Sequence, residues 1–291
     1  MSPEFIQFIL SGITLGATYT LAALGFSMIF NASGVINFAQ GEFIMIGGMC
    51  ASVLVSAGIP LPLACIVGVM AAGLIGYLME RLAVGQCRDA EVATLILVTI
   101  GVSMIVRGLT EIFFGKANHG LPHFSSDKPI EIAGATILPQ SLWVLAVSAL
   151  IVVGLKLFFS RTQLGKGMLA ASYDRLAAQL VGIDVRRVLT LSFILSALIG
   201  AFGGILVTPI STVAYDTGIM LGLKGFVAAT LGGLGSGSGA VFGGLLLGLV
   251  EALTAGYVSS AYKDAVPFVM VFIVMVLRPQ GLLGAKPTDR I

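Results

Sequence analysis

The feature that most constrains this chain is the length of its charge-free runs. No Asp, Glu, Lys or Arg occurs from Phe5 to Gly41, Phe43 to Met79, Ile132 to Leu155, Val188 to Tyr215 or Gly225 to Val250. A membrane-spanning helix needs about 20 mostly apolar residues, so most of these runs exceed one crossing. Composition agrees: 57% of the 291 residues are hydrophobic and 10% charged, against roughly 25% charged in soluble domains. The mean hydropathy is +1.04. Disordered, collagen-like and disulfide-scaffold classes are thereby excluded. A net charge of +2 with scattered basic residues argues against a nucleic-acid surface. Cys50 and Cys65 lie in apolar runs and Cys87 in a polar loop, which reads as packing thiols rather than a disulfide framework or a CxxC metal site. An all-α polytopic membrane protein is expected.

Helix-ending signals divide the runs: Asn31-Ala-Ser-Gly34, Gly58-Ile-Pro60-Leu-Pro62, Thr208-Pro209 and Gly235-Ser-Gly-Ser-Gly239. The resulting spans are 5–29, 41–57, 61–80, 92–114, 141–159, 188–208, 222–234, 239–258 and 265–278, eight or nine crossings in one transmembrane domain over 1–291. No Lys or Arg precedes the first run, which reads as a retained span. Loops 80–91 and 156–187 and the tail 278–291 carry eleven of the 16 Lys and Arg. The positive-inside rule puts that side in the cytoplasm, with the N-terminus outside and the C-terminus inside.

Small residues recur at four-residue spacing through Gly232, Ser236, Ala240, Gly244 and Gly248, and through Gly235, Gly239 and Gly243. Such faces let helix backbones approach closely, and helix packing is the expectation for Gly235, Gly239 and Gly243. Intramembrane charge is costly and faces a partner, a bundle interior or water. Arg107 and Glu111, four apart, are expected to pair on one helix. Glu251 is expected to hydrogen-bond a neighbouring helix. Glu42 and Lys224 each read as lying at the start of a short glycine-bearing helix, entered from opposite sides of the membrane, as an inverted repeat requires. With Asn37 and Gln40 they are candidates for a translocation path or gate, weighed equally against a structural role. His119 and His123 flank Gly120 and Pro122 and read as loop histidines, with no metal site.

The segment 156–187 is the longest loop on the basic side. Leu169, Tyr173, Leu176, Ala177 and Leu180 fall at three- and four-residue steps, predicting one amphipathic helix that Gly182 ends, with Asp184 capping the next helix. Its alanine content and mixed charge suit docking of a soluble partner more than lipid binding. No GxxxxGK[ST] motif occurs, so no ATP hydrolysis and no catalytic residue is expected on this chain.

Taken together, Gly34-Val-Ile-Asn37-Phe-Ala-Gln40-Gly41-Glu42-Phe43, Thr162-Gln-Leu-Gly165-Lys166, Ala177-Ala178-Gln-Leu-Val-Gly182-Ile-Asp184, Leu231-Gly-Gly-Leu-Gly-Ser236 and Arg278-Pro279-Gln280-Gly281-Leu282 resemble the shorter permease subunit of ABC importers for branched-chain amino acids. The resemblance implies a complex of this chain, a second similar permease, two ATPase subunits holding ATP and Mg, and an external substrate-binding protein, in the bacterial inner membrane. It implies that ATPase coupling rests on Leu169, Ala171, Tyr173, Asp174, Arg175, Leu176, Ala178, Leu180 and Gly182. Related permeases carry urea or short amides, which stays open as an alternative cargo. An ion-coupled secondary transporter is a further alternative, supported by Glu42, Glu251 and the possible inverted repeat.

Overall fold

A computed structural model describes residues 3–87, 90–126, 128–132 and 134–284. Its helices are α1 (Pro3–Ser33), α2 (Gln40–Ser56), α3 (Leu61–Leu82), α4 (Val92–Phe114), α5 (Pro139–Arg161), the short α6 (Gln163–Tyr173) and α7 (Arg175–Leu180), then α8 (Val185–Val207), α9 (Thr217–Gly232), α10 (Gly237–Tyr257) and α11 (Val266–Leu277). Glycine supplies the chain reversals that L-residues resist, at Gly34 (φ +69°) after α1, Gly58 (φ +89°) after α2 and Gly233 (φ +106°) after α9. Six of the helices, α1, α3, α4, α5, α8 and α10, are long and apolar enough to cross a membrane; α2, α9 and α11 are shorter apolar helices. The expected boundaries shift in two places. The first helix continues to Ser33, and α9 begins at Thr217 rather than 222, because its first turn packs against α2 at Gly41. A two-stranded antiparallel hairpin, β1 (Ile130–Ile132) and β2 (Ala135–Ile137), lies in the loop between α4 and α5.

The six inner helices form two sets of three with the same pattern of neighbours. Helix α1 packs on α10 as α8 packs on α3; α2 packs on α8 as α9 packs on α1; α2 packs on α3 as α9 packs on α10. Gly12 of α1 faces Leu249 of α10 and Gly16 faces Leu245, so that pair runs antiparallel. Between the sets, Gly25 of α1 lies against Ser196 of α8 and Leu21 against Gly203, so these corresponding helices run antiparallel, as an inverted repeat requires. Glycine makes the equivalent contacts possible, since without a large hydrophobic drive between helices the backbones themselves must meet. Gly248 of α10 abuts Gly12 and Gly16 of α1, and Gly76 of α3 abuts Phe193 and Ala197 of α8. At the centre α2 crosses α9, where a Cβ added to Gly218 would lie 2.7 Å from the Gly41 carbonyl oxygen.

Helices α4, α5 and α11 form an outer layer whose large apolar side chains point away from the bundle, among them Ile112, Phe113, Leu150 and Phe272. At one end the hairpin is fastened by the Thr136 N–H donating to Gln7 Oε1 at 2.8 Å. Nearby, the buried Gln140 accepts from the Phe124 N–H at 3.1 Å and donates to the Leu206 carbonyl at 3.1 Å. At the other end the segment after α11 folds under α9. The Leu282 and Leu283 N–H groups donate to the carbonyls of Leu231 and Gly232 at 2.8 and 3.0 Å, pairing carbonyls that a helix C-terminus leaves open. Two of the quoted motifs, 231–236 and 278–282, thus touch. Arg88, Lys286 and Arg290, which contribute to the charge asymmetry, lie outside the described residues.

Candidate functional site: two buried charge clusters and an exposed elbow

Glu42 sits in the first turn of α2 and is 1% exposed. Its Oε1 accepts from Arg107 Nη2 at 2.8 Å and from Ser103 Oγ at 2.8 Å, both on α4. This corrects the expected pairing of Arg107 with Glu111, which instead meets Lys116 at 3.0 Å in the adjoining loop. The physical reason is burial: a carboxylate withdrawn from water at Glu42 needs a cation more than the half-exposed Glu111 does. Hydrogen bonding to Glu111 holds the Lys116 ammonium above its usual range.

The second cluster gathers around Lys224, midway along α9 and not at its start. Its ammonium donates to Glu251 Oε1 of α10 at 2.7 Å, to Asp264 Oδ1 of the α10–α11 loop at 2.6 Å and to the Tyr19 hydroxyl of α1 at 3.3 Å. Tyr19 in turn donates to Glu251 Oε2 at 2.9 Å. Glu251 therefore bonds neighbouring helices, as expected. Hydrogen bonding to Lys224 holds the Asp264 carboxyl below its usual range. Beside this cluster lies a cavity of about 260 Å³ between α1, α2, α8, α9 and the loop after α8.

Of the four candidates for a path or gate, Lys224 borders this cavity. Glu42 fastens α2 to α4. Gln40, fully buried, accepts from Ser196 Oγ of α8 at 2.6 Å. Asn37 Oδ1 accepts from the Ala39 N–H at 3.0 Å, shaping the turn that enters α2. Among the described residues no group of three His, Cys, Asp or Glu could hold a metal.

The loop between α5 and α8 is an elbow of two helices, which corrects the expectation of one. Asp174 is extended (φ −151°, ψ 110°) and its Oδ1 accepts from the N–H groups of Leu176 and Ala177 at 2.9 and 3.0 Å. It is a helix-starting cap, and capping oxygens of this kind are worth about 1 kcal/mol. Thr162 caps α6 and Asp184 caps α8 in the same way, while Gly182 (φ +87°) turns the chain after α7. The elbow's inner face buries Met168, Ala171 and Ala178 in the core cluster that includes Ala32 of α1 and Val188 of α8. Arg175 adds a hydrogen bond to the Ala32 carbonyl at 2.9 Å. Ala171, Ala178 and Arg175, expected in the coupling surface, thus hold the elbow to the bundle. The outer face leaves Tyr173, Leu176, Leu180 and Val181 between 69% and 82% exposed, with Leu169 at 38%.

Residues 8–275 match the family described as branched-chain amino acid transport system, permease component. The chain belongs to that family. It is 32% identical to the high-affinity branched-chain amino acid transport system permease protein LivH of Escherichia coli K12, over all of both chains. It is 30% identical to BraD of Pseudomonas aeruginosa over 99% of this chain and 98% of that one. A probable LivH of Methanocaldococcus jannaschii is 28% identical over 91% of this chain and 88% of that one.

This permease uses its glycine stripe less uniformly than the spacing implied. Gly239 and Gly243 of α10 face the backbone of α9 at Gly232 and Ala228, and Gly244 and Gly248 face α1. Gly235 stands between α9 and α10 at φ +85°, so it serves the turn and not a helix face; the neighbouring Asn31 donates to its carbonyl at 2.8 Å. Sequence reasoning missed Ser103, Tyr19 and Asp264. Polar side chains on a span carry no local sign of which distant charge they serve, and Asp264 stands in a polar loop where a carboxylate is unremarkable.

Proposed function

We propose that this permease is the shorter membrane subunit of an ATP-driven importer of branched-chain amino acids in the bacterial inner membrane. Its N-terminus lies outside and its C-terminus in the cytoplasm. It pairs with a second, similar permease, two ATPase subunits that hold ATP and Mg, and an external binding protein. Matches over the full length of the LivH and BraD relatives support the cargo. The observation that carries the coupling role is the elbow, with its inner face locked to the bundle and an outer apolar patch of Leu176, Leu180 and Val181 exposed. A rigid lever with an apolar pad transmits closure of an ATPase groove to α1, α5 and α8, on which it is mounted.

Leu176→Glu tests this. The change lies outside every span, so the protein still inserts, but an unpaired carboxylate in the contact costs several kcal/mol. In a reconstituted complex, leucine uptake and substrate-stimulated ATP hydrolysis should fall together by at least about tenfold. Uptake that persists without ATPase subunits and follows a proton or sodium gradient would overturn the proposal in favour of an ion-coupled carrier. Orientation is checked by labelling cysteines from outside, with modification expected at Ser126→Cys and none at Ser172→Cys.

A further inference from the structure

The cavity beside Lys224 has both charged and apolar walls. Tyr19, Lys224 and Glu251, joined by hydrogen bonds, line it together with the loop-borne Lys263, Ser211 and Thr212; Ile44, Met45, Val207 and Met220 supply apolar wall. Its volume of about 260 Å³ lies just under the roughly 300 Å³ at which pockets for drug-sized ligands begin, which suits something smaller. A small ligand with an aliphatic body and charged groups at one end is the chemistry such walls recognise.

The charges are balanced in an informative way. Lys224, with a side chain 7% exposed, is shared between two carboxylates: Glu251, 4% exposed, and Asp264, 45% exposed. Glu251 is built in, since both of its oxygens are engaged by Tyr19 and Lys224. Asp264 is different, because it reaches Lys224 from a loop and from the solvent side. It places a carboxylate on a buried ammonium, as a carboxylate ligand entering the cavity would. Lys263 and Lys224 together match Glu251 and Asp264 in charge, so the site is neutral overall and rejects a net ion more than a zwitterion.

We infer that this cavity binds a zwitterionic aliphatic amino acid, whose carboxylate takes the place of Asp264 on Lys224 and whose ammonium is received by the Asp264 carboxylate so released. The aliphatic side chain lies against Ile44, Met45 and Met220. In the empty protein the Asp264–Lys224 contact is a plug that keeps the buried ammonium paired. This inference rests on the amino-acid cargo proposed above and assigns the place where that cargo sits.

The test uses the reconstituted complex with its natural cysteines replaced and Ser211→Cys in the cavity wall. N-ethylmaleimide labelling is followed with L-leucine, isocaproate (no ammonium) or isoamylamine (no carboxylate) present. Leucine should slow labelling at concentrations about tenfold below those needed for either analogue, a preference of about 1.4 kcal/mol. Asp264→Asn removes both plug and ammonium partner, so isocaproate should then protect about as well as leucine. Equal protection by all three compounds in the parent, or an unchanged leucine preference in Asp264→Asn, overturns the inference. Leucine uptake measured in the same vesicles separates the two levels. Uptake without protection sinks this site alone, whereas no leucine uptake at all sinks the cargo on which it rests.

Discussion

The inner and outer helices both contain glycine, yet glycine does different things in them. In α1, α2, α3, α8, α9 and α10 it lies where backbones meet: a Cβ on Gly16 would sit 2.8 Å from Leu245 Cα, and one on Gly76 would sit 2.8 Å from the Phe193 carbonyl oxygen. In α4 and α5 a Cβ on Gly101, Gly108 or Gly154 would meet nothing within 4 Å among the described residues. The outer helix α4 is instead tied to the core by charge, through Arg107 and Glu42. The inner helices meet backbone to backbone, with one charge cluster at Lys224 among them, whereas α4 is fastened to the core by a charge pair and not by a glycine contact. A single glycine in an apolar run therefore says little until its layer is known.

The comparison breaks most visibly at α1 and α10. Gly16→Leu puts a branched side chain where the α10 backbone lies, and overpacking of this kind costs about 1–3 kcal/mol or more. Folded, assembled protein recovered from detergent should fall severalfold; normal recovery would show that α1 and α10 can separate without harm. Arg107→Met leaves Glu42 buried without its cation, for which removal of one partner costs about 3–5 kcal/mol. Thermal stability should drop, and the double change Arg107→Met with Glu42→Gln should restore most of it. A double variant as weak as the single one would show that geometry, and not unpaired charge, holds α4. The smallest effect belongs to Gly101→Leu, within about 0.5 kcal/mol of the parent as for other substitutions away from packed features. A loss as large as that of Gly16→Leu would erase the distinction between the layers.

Much of this architecture is legible in the chain because apolar length and glycine or proline punctuation are local signals. The nine apolar helices among the described residues and the breaks at Gly34, Gly58 and Thr208 follow from them, as do the caps at Asp184 and Gly182. The buried clusters are not local. The four-residue spacing of Arg107 and Glu111 is a genuine helix-surface relation, but it is worth only a few tenths of a kcal/mol and yields to a buried carboxylate on another helix. Lys224 lies midway along its helix and not at the start because α9 begins at Thr217, five residues before Gly222. The elbow was legible as an apolar stripe and illegible as two helices, although Asp174 carried the clue: aspartate prefers the position before a helix over its interior. The hairpin at 130–137 is too short to show a period.

The closure of α9 by Leu282 and Leu283 also has a consequence in time. Synthesis runs from the N-terminus, so α9 reaches the membrane with its last carbonyls unpaired, and their partners are made only after α10 and α11 have followed. The last turn of α9, at Leu231 and Gly232, is therefore closed by residues synthesised about fifty positions later.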